Sequence, residues 1–200
     1  MDSSEAAAER GAGRYSIIYA DPPWDYRDEC ASGERGASFK YHTMPLPRLC
    51  ALSVDGRCVY DLAADRSVCF MWYTKPFKEE ALFLLRAWGF KPVQDAFDWV
   101  KTTRTGRGVH FGMGTATRAN MEYVAMGVRG VRLKRRDAGV SSLVVAPVGA
   151  HGAKPGIVRR RIVRLYGDLP RVELFATQRA RGWDSWGLAI DEELRVVRGS

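Results

Sequence analysis

The sequence is poor in the features that mark secreted and membrane proteins. Its 200 residues hold four cysteines, Cys30, Cys50, Cys58 and Cys69, and no Cys-x-x-Cys pair. Neither a structural zinc site nor a disulfide framework is supported, and no metal is expected. No apolar run approaches the roughly 20 residues of a membrane span. Residues 1–14 are small and polar and lack the apolar core of a signal peptide, so an intracellular, cytoplasmic setting is expected. The N-terminal half also lacks a Gly-x-Gly-x-x-Gly after its first strand, which by itself argues against an ordinary dinucleotide-binding order. Lysine is scarce beside arginine, 7 against 24.

What remains is a chain that is 46% apolar and 27% charged, with a net charge of +8. That composition excludes a disordered chain and suits one domain, here expected over 15–190 between tails at 1–14 and 191–200. The charge is uneven. Lys101 to Arg136 carries nine Lys/Arg against Glu122 alone, and Lys154 to Arg171 carries six against Asp168. Two cationic surfaces on an otherwise acidic body point to a polyanionic partner, nucleic acid before others.

Hydrophobic periodicity places the elements. Ser16-Ile17-Ile18-Tyr19-Ala20 is a β-rich apolar run that stops at a proline pair, the pattern of a buried strand. Residues 25–43 read as a loop. Ser67 to Tyr73 is a second core strand. Pro76 to Trp88 sets Phe77, Ala81, Leu84, Leu85 and Trp88 on one helical stripe, with Gly89 just past its end. Val93–Lys101, Glu122–Val128 and Leu143–Ala146 read as strands, and a glycine-rich basic loop runs from Thr102 to Gly114. Pro155 to Tyr166 reads as a helix opened by proline and stopped by Gly167, with Arg159, Arg160 and Arg164 mostly facing solvent. Val172 to Ala176 closes as a strand. Strands alternating with helices predict an α/β fold, a mostly parallel sheet flanked by helices.

Asp21-Pro22-Pro23-Trp24 follows the first strand directly, where open α/β sheets place their ligands. The prolines fix φ and remove two donors, leaving a rigid turn with a carboxylate, carbonyl acceptors and an indole. That set suits a planar, amine-bearing ring. The alternative is a proline-bounded turn in which Trp24 plugs the core.

These residues resemble the Asp-Pro-Pro-Trp motif of the adenine-N(6) methyltransferases related to the catalytic subunit of the eukaryotic messenger-RNA methyltransferase. The resemblance runs from about Ile17 to Gly187. It continues in Tyr41-His42-Thr43-Met44, Met71-Trp72-Tyr73-Thr74 and Trp99-Val100-Lys101, then in Gly112-Met113-Gly114 and Thr117 to Glu122. Gly127-Val128-Arg129-Gly130, His151-Gly152-Ala153-Lys154-Pro155, Glu173-Leu174-Phe175-Ala176, Gly182-Trp183 and Trp186-Gly187 complete it. It implies a Rossmann-like methyltransferase fold with permuted motif order, the catalytic strand preceding the cofactor strand at Val172 to Ala176. The implied cofactor is S-adenosylmethionine, and the implied reaction is methyl transfer to the 6-amino group of adenine in nucleic acid. Asp21, Pro22, Pro23 and Trp24 are the implied catalytic set, with Asp21 and the Pro22 carbonyl accepting from the amine and Trp24 lining the ring. Asp21, Lys154, Pro155, Glu173, Leu174 and Phe175 are implied on the cofactor side, and Trp24, Tyr41, Arg118, Asn120 and Glu122 on the substrate side. The chain departs from the family at Thr177, where arginine is frequent, and at Leu188, where asparagine is common; Arg179, Arg181 or Asp184 could substitute.

DNA is the favoured substrate, because small stand-alone relatives are mostly bacterial or phage proteins. The alternatives are the same chemistry on RNA and, from another class, a non-catalytic nucleic-acid-binding subunit.

Overall fold

A computed structural model describes residues 15–25, 43–112, 114, 116–149 and 153–187. The expected tails, most of the 25–43 loop, Tyr41 and Leu188 lie outside the described residues.

The apolar runs become strands of one seven-stranded sheet. They are β1 (Tyr15–Ala20), β4 (Ala63–Tyr73), β5 (Lys91–Thr102), β6 (Met121–Arg129), β7 (Leu143–Pro147), β8 (Arg171–Leu174) and β9 (Asp184–Trp186), in the order β7-β5-β6-β4-β1-β8-β9. A two-stranded ribbon, β2 (Ser53–Val54) and β3 (Arg57–Cys58), lies apart. The helices are α1 (Leu46–Cys50), α2 (Val59–Leu62), α3 (Lys78–Ala87) and α4 (Gly156–Tyr166), with a 3-10 turn at Lys75–Phe77 leading into α3.

β1 is parallel to β4 and to β8, β8 to β9, and β5 to β7, so the expected mostly parallel α/β sheet is present. β6 is the exception, antiparallel to both β4 and β5. The segment between β5 and β6 is rich in glycine and threonine and forms no helix among the described residues, and the chain turns back instead of crossing over.

Period-2 alternation buries both faces of the sheet. Ile18, Ala20, Cys69 and Met71 pack on Leu49 of α1 and on Ala81, Leu84 and Leu85 of α3. Ile17, Tyr19, Val68, Phe70 and Trp72 pack on Val158, Ile162 and Tyr166 of α4. Strands covered on both faces read as continuous apolar runs, which is why β1 and β4 stand out in the sequence. The core indoles keep their N–H groups paired: Trp72 to the Tyr19 hydroxyl, Trp88 to the Leu49 carbonyl and Trp99 to the Ala146 carbonyl.

Gly89 (φ +84°) ends the stripe helix as its position suggests. The closing strand is shorter than expected. It stops at Leu174, because Phe175 takes φ +62°, a left-handed conformation that costs a non-glycine residue about 1–2 kcal/mol. Ala176 then bonds back to the Trp186 carbonyl at 2.9 Å.

Candidate active site

The carboxyl ends of β1, β4, β5, β7 and β8 share one edge of the sheet with the amino end of antiparallel β6. Asp21 follows β1 there, at the strand where the order reverses between β4 on one side and β8 on the other. Open α/β sheets place their ligands at this edge, beside such a reversal of strand order. Lys101 ends β5 on the same edge, Glu122 begins β6, and Lys154 precedes α4.

The four side chains form a row of alternating charge. The Lys101 Nζ lies 2.6 Å from Glu122, Glu122 lies 3.3 Å from the Lys154 Nζ, and Lys154 donates to the Asp21 Oδ2 at 2.6 Å. All are largely withdrawn from water; Lys154 is 12% and Asp21 23% exposed. Burial pushes the Asp21 carboxyl above the usual aspartate range, with Lys154 opposing it. Burial would lower Lys154, but Asp21 and Glu122 outweigh it and hold the ammonium above its ordinary value. Burial likewise works against the Glu122 charge, and Lys154 and Lys101 together hold that carboxyl below the usual glutamate range. Glu122 therefore contributes stability at neutral pH that is lost as pH falls through its depressed pKa.

The turn around Asp21 is tied from several sides. Its N–H reaches the Leu174 carbonyl at 3.4 Å, the Trp24 N–H donates to the Pro22 carbonyl at 2.9 Å, and the Met44 N–H donates to the Pro23 carbonyl at 2.8 Å. Trp24 is 6% exposed, stacks on Phe77 at 5.5 Å and donates from its indole to the Trp72 carbonyl. Its indole is therefore largely buried against Phe77, and what it offers a base is an edge more than an open stacking face.

Glu173 lies on the face of β8 that α4 covers. Both of its oxygens are taken by Arg159, from Nε and from Nη2 at 2.6 Å each. The expectation that Arg159 faces solvent is thus corrected: it is 8% exposed, because a carboxylate inside an apolar strand needs a partner. Leu174 is packed in the core, and Phe175, partly buried against the same core, follows it just past the Ala20–Leu174 pair, level with Asp21. Pro155 caps α4 without a side-chain bond.

Of the substrate-side residues, Glu122 joins the charge row. Asn120 is part-buried and spans the β5–β6 loop by donating to the His110 carbonyl, while Arg118 is exposed on that loop. Gly112 and Gly114 serve close backbone approach. A Cβ on either would come within 2.6 and 2.0 Å of the Ala119 and Thr117 carbonyl oxygens, respectively.

The two cationic surfaces are also redrawn. Lys101, Lys154 and Arg159 are buried in ion pairs, Arg164 pairs with Asp137, and Arg171 with Asp168. Arg132, Lys134, Arg135 and Arg136 are exposed but follow the carboxyl end of β6, on the edge opposite Asp21. Arg104, Arg107 and Arg118 are the exposed cations of this region on the Asp21 edge. Sequence reasoning missed the row at Lys101 and the Arg159–Glu173 pair. A signal was available in Glu173 itself, a charge in the middle of a buried strand.

The MT-A70 family model matches residues 15–189. The chain belongs to the MT-A70 family. It is 33% identical over 196 residues to the type II methyltransferase M.MunI of Mycoplasma sp, covering 90% of this chain and 79% of that one. A probable N(6)-adenosine-methyltransferase MT-A70-like protein of rice is 29% identical over 92% of this chain, and the human N(6)-adenosine-methyltransferase catalytic subunit METTL3 is 27% identical over 82%. The chain spans only 25% and 26% of those two proteins. MT-A70 membership bears out the resemblance, the Rossmann-like methyltransferase fold and the reading of the chain as an adenine-N(6) methyltransferase enzyme. Among the described residues, no group of His, Cys, Asp and Glu is placed to hold a metal, and no helix is long and apolar enough to cross a membrane.

Membership of the MT-A70 family implies S-adenosylmethionine, and the residues present fit it. Lys154 sets a largely buried ammonium at the Asp21 edge, the complement of the carboxylate at the cofactor's amino-acid end. Lys154→Ala is expected to weaken cofactor binding about ten- to a hundred-fold by calorimetry, the value of a charge-assisted contact. At saturating cofactor, Lys154→Met should also move the acid limb of the kcat profile to higher pH. Asp21 is then left without its nearest cation and its pKa rises further.

Proposed function

We propose that the chain transfers a methyl group from S-adenosylmethionine to the 6-amino group of adenine in DNA. The observation that carries this reading is the Asp21 carboxylate. It is fixed by prolines at the carboxyl end of β1 and paired 2.6 Å from Lys154 in a crevice at the point of strand reversal. The cofactor supplies the methyl group as an electrophile on a sulfonium. The chain's own residues do the rest. Lys154, with Phe175 beside the crevice, holds the amino-acid end of the cofactor. Glu122, itself fixed by Lys101, holds Lys154 from the side away from Asp21.

Asp21 accepts one N–H of the adenine amine. The Pro22 carbonyl accepts the other through the lone pair that Trp24 leaves unused. The amine nitrogen gains positive charge as it takes the methyl group; the preorganised Asp21 carboxylate and Pro22 carbonyl stabilise that charge without rearranging, and the surplus amine proton leaves through Asp21 to water. No strong base is needed before attack, so positioning contributes much of the rest. Trp24 keeps the crevice wall rigid.

DNA is favoured because the type II methyltransferase of Mycoplasma sp, of which this chain covers 79%, is more similar to it than the plant and animal adenosine methyltransferases named above. RNA is the second reading, favoured by the adenosine methyltransferases of plants and animals at lower identity. Incubation with labelled S-adenosylmethionine and equal masses of DNA and RNA tests the choice: label should enter DNA. Incorporation into RNA alone would reverse it.

Binding to duplex DNA should weaken with salt, by about 0.9 in the log–log slope for each phosphate contact. Replacing Arg104, Arg107 and Arg118 together is expected to flatten that slope. Replacing Arg132, Lys134 and Arg135 on the opposite edge should leave it nearly unchanged, and the reverse pattern would move the interface away from Asp21.

A further inference from the structure

We infer that Phe111, with Val109 beside it, is a wedge that enters the gap left when the target adenine is turned out of a duplex; the inference rests on the proposal of DNA as substrate.

The β5–β6 loop carries an apolar pair that the fold does not need. Phe111 is 68% exposed and Val109 45%, whereas the aromatic residues of β5, Phe97 and Trp99, are buried. The segment is not a loose excursion. Its backbone pairs at Thr102 with Val109 and at Gly112 with Ala119, and the His110 N–H donates to the Lys101 carbonyl at 2.8 Å. Asn120 closes the other side by donating to the His110 carbonyl at 3.0 Å. His110 therefore turns inward between two residues that turn outward, as an extended segment requires.

Position and charge select the partner. Lys101, on which this segment is anchored, is the first member of the row that ends at Asp21, so Phe111 stands on the crevice edge of the molecule. The chain from Thr102 to Met121 contains no acidic residue, and Arg104, Arg107 and Arg118 are exposed around the apolar pair. An apolar tip ringed by cations suits a surface that is anionic outside and stacked aromatic inside. A duplex has that chemistry, and an ordinary protein surface does not. A base drawn into the crevice leaves a hole in the stack, whose cost an inserted apolar side chain reduces. A single strand has no such hole.

The test compares the full chain with Phe111→Ala and Phe111→Trp on one preparation of unmethylated DNA, used native and heat-denatured, with labelled S-adenosylmethionine. Phe111→Ala is expected to lower the initial rate on native DNA by on the order of tenfold or more and to change the rate on denatured DNA by less than about twofold. Phe111→Trp, which restores a flat apolar side chain, should recover the native rate. An equal loss on both forms, or no loss on either, would overturn the wedge while leaving the methylation of DNA standing. A wild-type chain that methylates neither form would overturn the reading of DNA as substrate and the wedge with it. Sedimentation of wild type and variant supplies the remaining outcome: self-association that Phe111→Ala abolishes would make the patch an interface between copies instead.

Discussion

Asp21→Ala is expected to lower turnover per folded molecule by on the order of a hundred- to a thousand-fold, the loss seen when one preorganised polar group is removed from a reacting centre. Its carboxylate opposes charge that appears chiefly as the methyl arrives, so the effect falls on kcat more than on binding. The fold should survive. Asp21 bears a charge that burial disfavours, and Lys154, its partner, keeps Glu122 at 3.3 Å after the substitution. Asp21→Asn should be milder, since the amide oxygen still accepts from the amine and only the charge is lost. If the proline turn were purely structural, melting temperature and activity would fall together and any folded fraction would still methylate.

Arg159→Met is expected to have the opposite signature, a large loss of stability. Arg159 holds both oxygens of Glu173, and the two side chains are 9% and 6% exposed. Removing one member of such a pair leaves an uncompensated charge in the core and costs about 3–5 kcal/mol. In a chain of this size that corresponds to a fall in Tm of roughly 6–20 °C. The double variant Arg159→Met with Glu173→Met should recover much of the loss, because the cost lies in the lone carboxylate. Thermal melts of the two variants decide it. Recovery absent in the double variant would show that the pair does more than neutralise itself, for instance by setting the register of β8 against Tyr19.

The strands and helices that buried runs announce, β1, β4, α3 and α4, were legible because period and length agree there with tertiary packing. So was the Asp21 turn, since a proline pair after an apolar strand leaves few other arrangements. What stayed hidden depends on partners distant in sequence. Arg159 and Lys101 look like surface cations until β8 and β6 bring Glu173 and Glu122 against them. Phe175 reads as a strand residue by propensity, yet the turn toward Trp186 takes it to φ +62°. The basic stretch from Lys101 to Arg136 is continuous in sequence, but β6 divides it between opposite edges of the sheet. Trp24 shows the limit within the motif itself: its residue type suits both a base and the core, and its burial against Phe77 depends on tertiary packing that the motif does not announce.

The most direct measurement is the identity of the methylated nucleoside. DNA treated with the wild-type chain and S-adenosylmethionine, digested to nucleosides and resolved by mass, should yield N(6)-methyl-2′-deoxyadenosine, and that product should all but disappear with Asp21→Ala. A methyl group found on cytosine, or undiminished N(6) product from folded Asp21→Ala, would contradict the account.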